Sequence, residues 1–216
     1  MGHTVLCGSD RRLCPVRARS GGRLMARPRS YDPDTVLDAL ISQFWEKGFD
    51  ATSTRDLVEA THLFKASLYG AFGDKRAMYR AALGRYIDRE VEAAYAMLSE
   101  GNGVDAIDAL FSRVVEEIRQ GGGRWGCFLC NASSDVAPFN EVIAARVAEA
   151  FARFTEGFAH ALSRTARYAD STTARQTKAA SLMAHYVGMR VMARGGAGAD
   201  VLQAIRDDAL REVGDT

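Results

Sequence analysis

The chain has no run of apolar residues long enough to span a bilayer, although 47% of its 216 residues are hydrophobic. The first stretch, MGHTVLCGSDRRLCPVRARSGGR, carries arginines but no continuous apolar core, so it does not read as a secretory signal. It also lacks any helical or strand period. Residues 1–26 are therefore expected to be a disordered extension, with Met25 a candidate true start. GxSxG, HExxH, P-loop and dinucleotide-binding glycine fingerprints are all missing, and no pair of carboxylates has a convincing setting. Enzyme chemistry is not expected. Cysteine is scarce. Cys127 and Cys130 form a Cys-x-x-Cys, but a structural zinc site needs four ligands, and no second pair stands at suitable spacing. The histidines are scattered singles, and no βαβ pattern surrounds the pair. Neither a metal nor a cofactor is expected, and the cytoplasm is the expected location.

What is present is helical periodicity, and the expected fold class is all-α. Charge is uneven although the net is only +1. Residues 1–31 hold seven Arg and one Asp, whereas residues 32–85 hold seven Lys or Arg against eight Asp or Glu. The remainder is acidic. A basic end on an acidic remainder suits contact with a polyanion at one pole.

The organising stretch is Thr52 to Lys75, TSTRDLVEATHLFKASLYGAFGDK. Leu57 and Val58 give a first short helix its apolar face. Leu68 and Phe72, four residues apart, give a second. The break from Thr61 to Phe64 is long enough only for a sharp corner. Two helices meeting so form a helix-turn-helix, whose second helix can lie in the DNA major groove. A bracing helix precedes it, about Pro33 to Lys47, with Asp32 as N-cap and Gly48 as stop. Thr52 or Ser53 caps the next.

ATHLFKASLYGAFGDKRAMY resembles the DNA-binding signature of the TetR family of bacterial transcriptional regulators. Lys65, Ser67, Leu68, Tyr69, Phe72 and Lys75 match it in order and spacing, and the upstream SQFWEKGFDATSTRDL matches too. The likeness covers Arg27 to about Tyr86. The sequence departs from the pattern at His62, where glycine is usual, and at Phe64, where a capping serine is common. His62 is then expected to be left-handed, a conformation histidine adopts at some cost.

The resemblance implies an N-terminal helix-turn-helix domain, residues 27–75, and a helical regulatory and dimerisation domain, residues 76–216. It implies that Thr54 donates to a phosphate and that Arg55 reaches a base edge. The alternative for Arg55 is pairing with Asp56 or Glu59. By their chemistry, Lys65 can read guanine or neutralise phosphate, Ala66 can meet a thymine methyl, and Ser67 can bond base or phosphate. Tyr69 and Lys75 are expected to hold phosphates, and Arg27 and Arg29 to form an arm along the duplex. The expected partners are a double-stranded DNA operator, a second copy of the chain and a small-molecule effector. The expected function is a repressor released by that effector or by cysteine modification. A different reading, motivated by His62 and Phe64, is an all-helical ligand-binding or thiol-scavenging protein that no longer binds an operator.

Further along, a helix is expected from Lys75 to Ser99, broken by Gly101 and Gly103, and another from Val104 to Arg119. Gly126-Cys127 with Asn131 resembles a TetR-like subgroup, some of whose members use cysteine chemistry to sense electrophiles or oxidants. Cys127 fits that pattern, and Cys130 stands where an aliphatic residue is usual. Both could sense, or both could be small buried hydrophobes. A helix from Asn140 to Thr165 carries Phe151, Phe154 and Phe158 on one stripe. With Trp125, Phe128 and Tyr186 these could line a ligand pocket, or they could be plain core. The last helices, about Thr173–Arg194 and Asp200–Val213, have more apolar surface than one face needs, which suits a partner helix pair.

Overall fold

Six of the described helices, α1, α2, α4, α5, α7 and α8, begin where a short polar side chain turns back on a free backbone N–H of the first turn. The computed structural model describes residues 31–211, 213 and 214. Arg27, Arg29 and the expected disordered extension 1–26 lie outside the described residues. Asp32 caps α1 (Pro33–Lys47) by accepting from the N–H groups of Asp34 and Thr35, and Pro33 fills the first turn, where no N–H is needed. Ser53 rather than Thr52 caps α2 (Thr54–Thr61), in a reciprocal box with Asp56. The Thr52 hydroxyl instead donates to the Gly48 carbonyl at 2.6 Å. Then come α3 (Lys65–Phe72) and the 25-residue α4 (Lys75–Ser99), which Asp74 caps.

The body continues with α5 (Gly103–Arg119), α6 (Phe128–Asp135), a short 3-10 turn (Ala137–Phe139), α7 (Glu141–Leu162), α8 (Thr172–Arg194) and α9 (Ala199–Arg211). Among the described residues there is no strand, so the fold is all-α as expected. No described helix is long and apolar enough to cross a membrane.

The break between α4 and α5 is one residue shorter than the sequence suggests. Gly103 does not break the chain but opens α5, because there the helix crosses α7 almost in backbone contact. A Cβ on Gly103 would stand 2.0 Å from the Ala161 carbonyl oxygen.

α1 and α3 pack on α4 and α2 packs on both of them, so head and body share this rod and form one compact unit from Tyr31 onward. The head core is small: Leu40, Phe44, Leu57, Leu68, Met78 and Tyr79 are all essentially sealed from water. Phe44 meets the Tyr79 ring edge-on at 5.1 Å, a geometry worth about 0.5–1.5 kcal/mol beyond area burial. Arg85 ties α4 to Asp34 and Asp38 of α1. Arg146 and Arg153 of α7 reach Asp88 and Glu92 of α4. These pairs face solvent, so water and salt screen them and each adds little.

Candidate nucleic-acid interface and the cavity behind it

The corner of the helix-turn-helix turns on His62. Its φ of 54° and ψ of 20° put it in the left-handed region, the cost expected for a side chain where glycine would fit freely. Thr61 helps to close the end of α2 by donating its hydroxyl to the Leu57 carbonyl at 2.7 Å. Phe64 then takes the N-cap position of α3 and makes no side-chain cap, yet the helix forms. Tertiary packing accounts for this: Leu68 is fully buried, and Leu63, Tyr69 and Phe72 pack beside the core.

With Leu68 inward, Lys65, Ala66 and Ser67 are exposed on the first turn of α3, and Gly70 and Ala71 on the second. Tyr69 is half-buried. Its hydroxyl lies 2.9 Å from the Thr54 hydroxyl, which struts α2 against α3. The Lys65 ammonium sits 5.7 Å from the Tyr69 ring. Arg55 is exposed and has no ion pair among the described residues. Asp56, its candidate partner, is engaged by Lys47 at 2.8 Å and by Ser53. The Lys47 ammonium, then the Ser53 hydroxyl, hold the Asp56 carboxyl well below the usual carboxylate range. Lys75 is drawn partly inward: its ammonium rests 4.5 Å from the Phe49 ring centre and 3.5 Å from the Asp50 carbonyl. Thr54, Arg55, Lys65, Ala66, Ser67 and Tyr69 are thus brought to one corner, with Lys75 at its edge.

Of the two readings of the aromatic stripe, pocket lining or plain core, the structure gives core. Phe128, Phe154, Phe158 and Tyr186 are core, and Phe151 is half-buried against them. The stripe on α7 is consumed in sealing the body: Phe154 lies 4.8 Å from Tyr186, and Phe158 lies 6.0 Å from Phe111 of α5. The cavity, about 470 Å³, opens instead where α1, α4, α5, α8 and the loop before α6 converge. Of the residues expected from the sequence, only Trp125 lines it, facing Trp45 and Tyr86. The Trp45 and Trp125 rings meet edge-on at 5.9 Å.

The far wall is charged. Arg113 bridges Glu90 at 2.9 Å and Glu117 at 3.2 Å, and Arg190 pairs with Glu117 while holding the Tyr186 hydroxyl at 3.1 Å. Sequence reading passed over this network, since Arg113 and Glu117 at i, i+4 look like a solvated helix face. The available signal was Arg190, a charge set between the buried Tyr186, Met189 and Ala193 of α8. Beside the cavity, the Trp125 carbonyl accepts from the Trp45 indole N–H at 3.1 Å, the Asn131 amide at 2.9 Å and Arg194 at 3.4 Å. One oxygen therefore joins α1, α6 and α8. Gly126 is required beside it: φ is 71°, and a Cβ would lie 3.2 Å from the Arg190 carbonyl oxygen.

Cys127 and Cys130 are buried and free. Cys127 is the N-cap of α6, and the Tyr86 hydroxyl donates to its sulfur at 3.5 Å. The Cys130 thiol donating to Cys127, the Arg190 charge and the Tyr86 hydroxyl outweigh burial and pull the Cys127 pKa down to about 6. The same contact and burial push Cys130 up. Among the described residues no cluster of side chains could hold a metal ion.

A sharp two-helix corner with an exposed, polar first turn, carried on a long rod in front of a helical body, defines a helix-turn-helix fold with a helical second part. Residues 36–82 match the family model of bacterial regulatory proteins of the tetR family, and the described chain has the TetR-like fold. The chain is 35% identical over 114 residues to the HTH-type transcriptional repressor ComR of Escherichia coli K12, covering 52% of this chain and 54% of that one. It is 26% identical over 141 residues to the uncharacterized HTH-type transcriptional regulator YezE of Bacillus subtilis, covering 65% and 73%. It thus spans about half the length of ComR and nearly three quarters of YezE. Among solved structures, a cysteine mutant of the TetR family regulator CifR complexed with 26-bp operator DNA matches with a TM-score of 0.70 at 23% identity, over 88% of this chain and all of that one. The reduced form of E. coli NemR matches at 0.70 and 18%, over 85% and 97%. At these identities the structures speak for the fold.

Proposed function

We propose that the chain is a DNA-binding transcriptional repressor that works as a homodimer and is released from its operator by a small-molecule effector or by modification at Cys127. The observation that carries this reading is the exposed first turn of α3, Lys65–Ala66–Ser67, braced by the Thr54–Tyr69 hydroxyl contact. Lys65 and Arg55 would reach guanine edges, Ser67 a base or phosphate, and Thr54, Tyr69 and Lys75 the phosphates that fix register. Arg27 and Arg29 would extend along the duplex. Exposed Val191 and Met192 on α8 and Val201 on α9 offer the apolar face for a second copy. Two copies of α3 would then meet successive major grooves about 34–36 Å apart.

The cavity supplies a route for release. A ligand entering between Trp45 and Trp125 would part them and load the Trp125 carbonyl junction, and so move α1, which braces α2 and α3. Cys127, beneath Tyr86, sits behind the same wall and suits the thiol-sensing Gly-Cys-x-x-x-Asn pattern. Either signal works only by favouring one of two states. A hundredfold loss of operator affinity needs about 2.7 kcal/mol of differential binding.

The test is a gel shift on DNA upstream of the chain's own gene, at two salt concentrations. The expected result is salt-sensitive, sequence-selective binding that Lys65→Ala weakens about tenfold with an unchanged melting temperature. Absence of selective binding, or a Lys65→Ala variant that binds as tightly as the parent, would overturn the reading.

A further inference from the structure

Phe64 is 85% exposed. Its neighbours Leu63, Tyr69 and Phe72 pack against the core, but Phe64 does not, and its ring meets no other ring among the described residues. It stands at the N-cap of α3, beside the exposed Lys65, Ala66 and Ser67. A serine or aspartate there would satisfy a free N–H of the first turn, so the sequence gives up a cap to hold a benzyl group in water. Among the described residues, no ring contact or place in the core repays either loss.

We infer that Phe64 is a specificity-determining residue that reads the 5-methyl group of a thymine in the operator major groove. This rests on the reading of α3 as the helix that enters that groove. The chemistry is selective in both directions. In the major groove only thymine presents a methyl group, and phenylalanine is among the side chains that meet it by apolar contact. A cytosine at the same step would have its amino group covered by a ring that cannot accept a hydrogen bond, and a buried unpaired donor is costly. The position at the first turn suits this role, because that end of a recognition helix approaches base edges most closely.

The experiment has two parts, each done with the wild type, Phe64→Ala and Phe64→Leu. Duplexes are first selected from a random-sequence pool. Each thymine of the recovered wild-type operator is then replaced singly by deoxyuracil, which differs only by the methyl group. The wild type is expected to retain one thymine per half-site whose replacement weakens binding roughly three- to tenfold. Phe64→Ala is expected to bind the thymine and uracil duplexes within about twofold of each other and to lose selection at that step alone, with its melting temperature unchanged. Phe64→Leu, still apolar, keeps part of the preference. The inference is overturned if Phe64→Ala retains the same thymine penalty, or if it weakens every duplex equally, which is the mark of a sugar contact. Failure of the wild type to select any sequence removes the DNA-binding reading itself, a different result from wild-type selection with an unaltered Phe64→Ala profile.

Discussion

Gly103→Ala and Gly84→Ala are the same chemical change in two helices, and the structure assigns them opposite signs. By helix propensity alone, alanine stabilises both by about 0.5–1 kcal/mol. At Gly84, in α4, an added Cβ meets nothing within 4 Å, so the gain should be realised. At Gly103 the Cβ would lie 2.0 Å from the Ala161 carbonyl oxygen, 2.9 Å from its carbon and 3.0 Å from Thr165 Cγ2. The first of these is more than about 1 Å inside van der Waals contact. The obstacle is backbone in the last turn of α7, and Ala161 is fully buried, so it cannot swing aside. Relief requires α5 and α7 to separate. Overpacking of this kind costs about 1–3 kcal/mol, leaving a net loss of about 1 kcal/mol once propensity is returned. For a chain of this size that is a fall of about 2–4 °C in Tm, against a rise of about 1–4 °C for Gly84→Ala. The assay is thermal melting by circular dichroism at one fixed protein concentration, since association shifts Tm. Equal Tm changes for the two variants, or a stabilised Gly103→Ala, would refute the close crossing.

Two further predictions concern the cavity wall. Cys127 has a pKa lowered to about 6 in the fold, whereas an unfolded thiol titrates near about 8.5. Its contribution to stability is therefore fully present above about pH 8.5 and is lost as pH falls through 6. Denaturant titrations should show the wild type gaining on Cys127→Ser between pH 6 and 9, and parallel curves would contradict the assignment. Trp45→Phe removes the indole bond to the Trp125 carbonyl, which keeps Asn131 and Arg194. The expected loss is about 1 kcal/mol in unfolding free energy, and a variant as stable as the parent would show that this bond carries nothing. The chain has only two tryptophans, so tryptophan emission of this variant reports Trp125 alone and the cavity directly.

Helix positions were legible because their starts are written locally. Asp32 with Pro33 marks the first N-terminus and Ser53 is one of two caps offered for the second, and α1 and α4 fall where the sequence puts them. The head corner was legible for the same reason, down to the left-handed His62. The start of α5 was misread because glycine as a breaker and glycine as a point of close approach look alike until α7 is in view. The cavity could not be read at all. Its walls come from α1, α4, α5, α8 and a loop, so Trp45, Glu90, Arg113 and Arg190 share no local pattern. The phenylalanine stripe left pocket and core both open because helical spacing reports that a face is buried, and not whether a void or another helix covers it.

The 25 residues of α4 make a bar about 37 Å long. With the head clasped to its leading end and α5 and α7 along the rest, the bar gears small changes up. Tipping it by about 5° would carry the leading end about 3 Å, and in the proposed dimer mirrored tipping would alter the separation of the two reading ends by about 6 Å. Against a groove repeat of about 34 Å, that would be enough to take one end out of phase with the double helix.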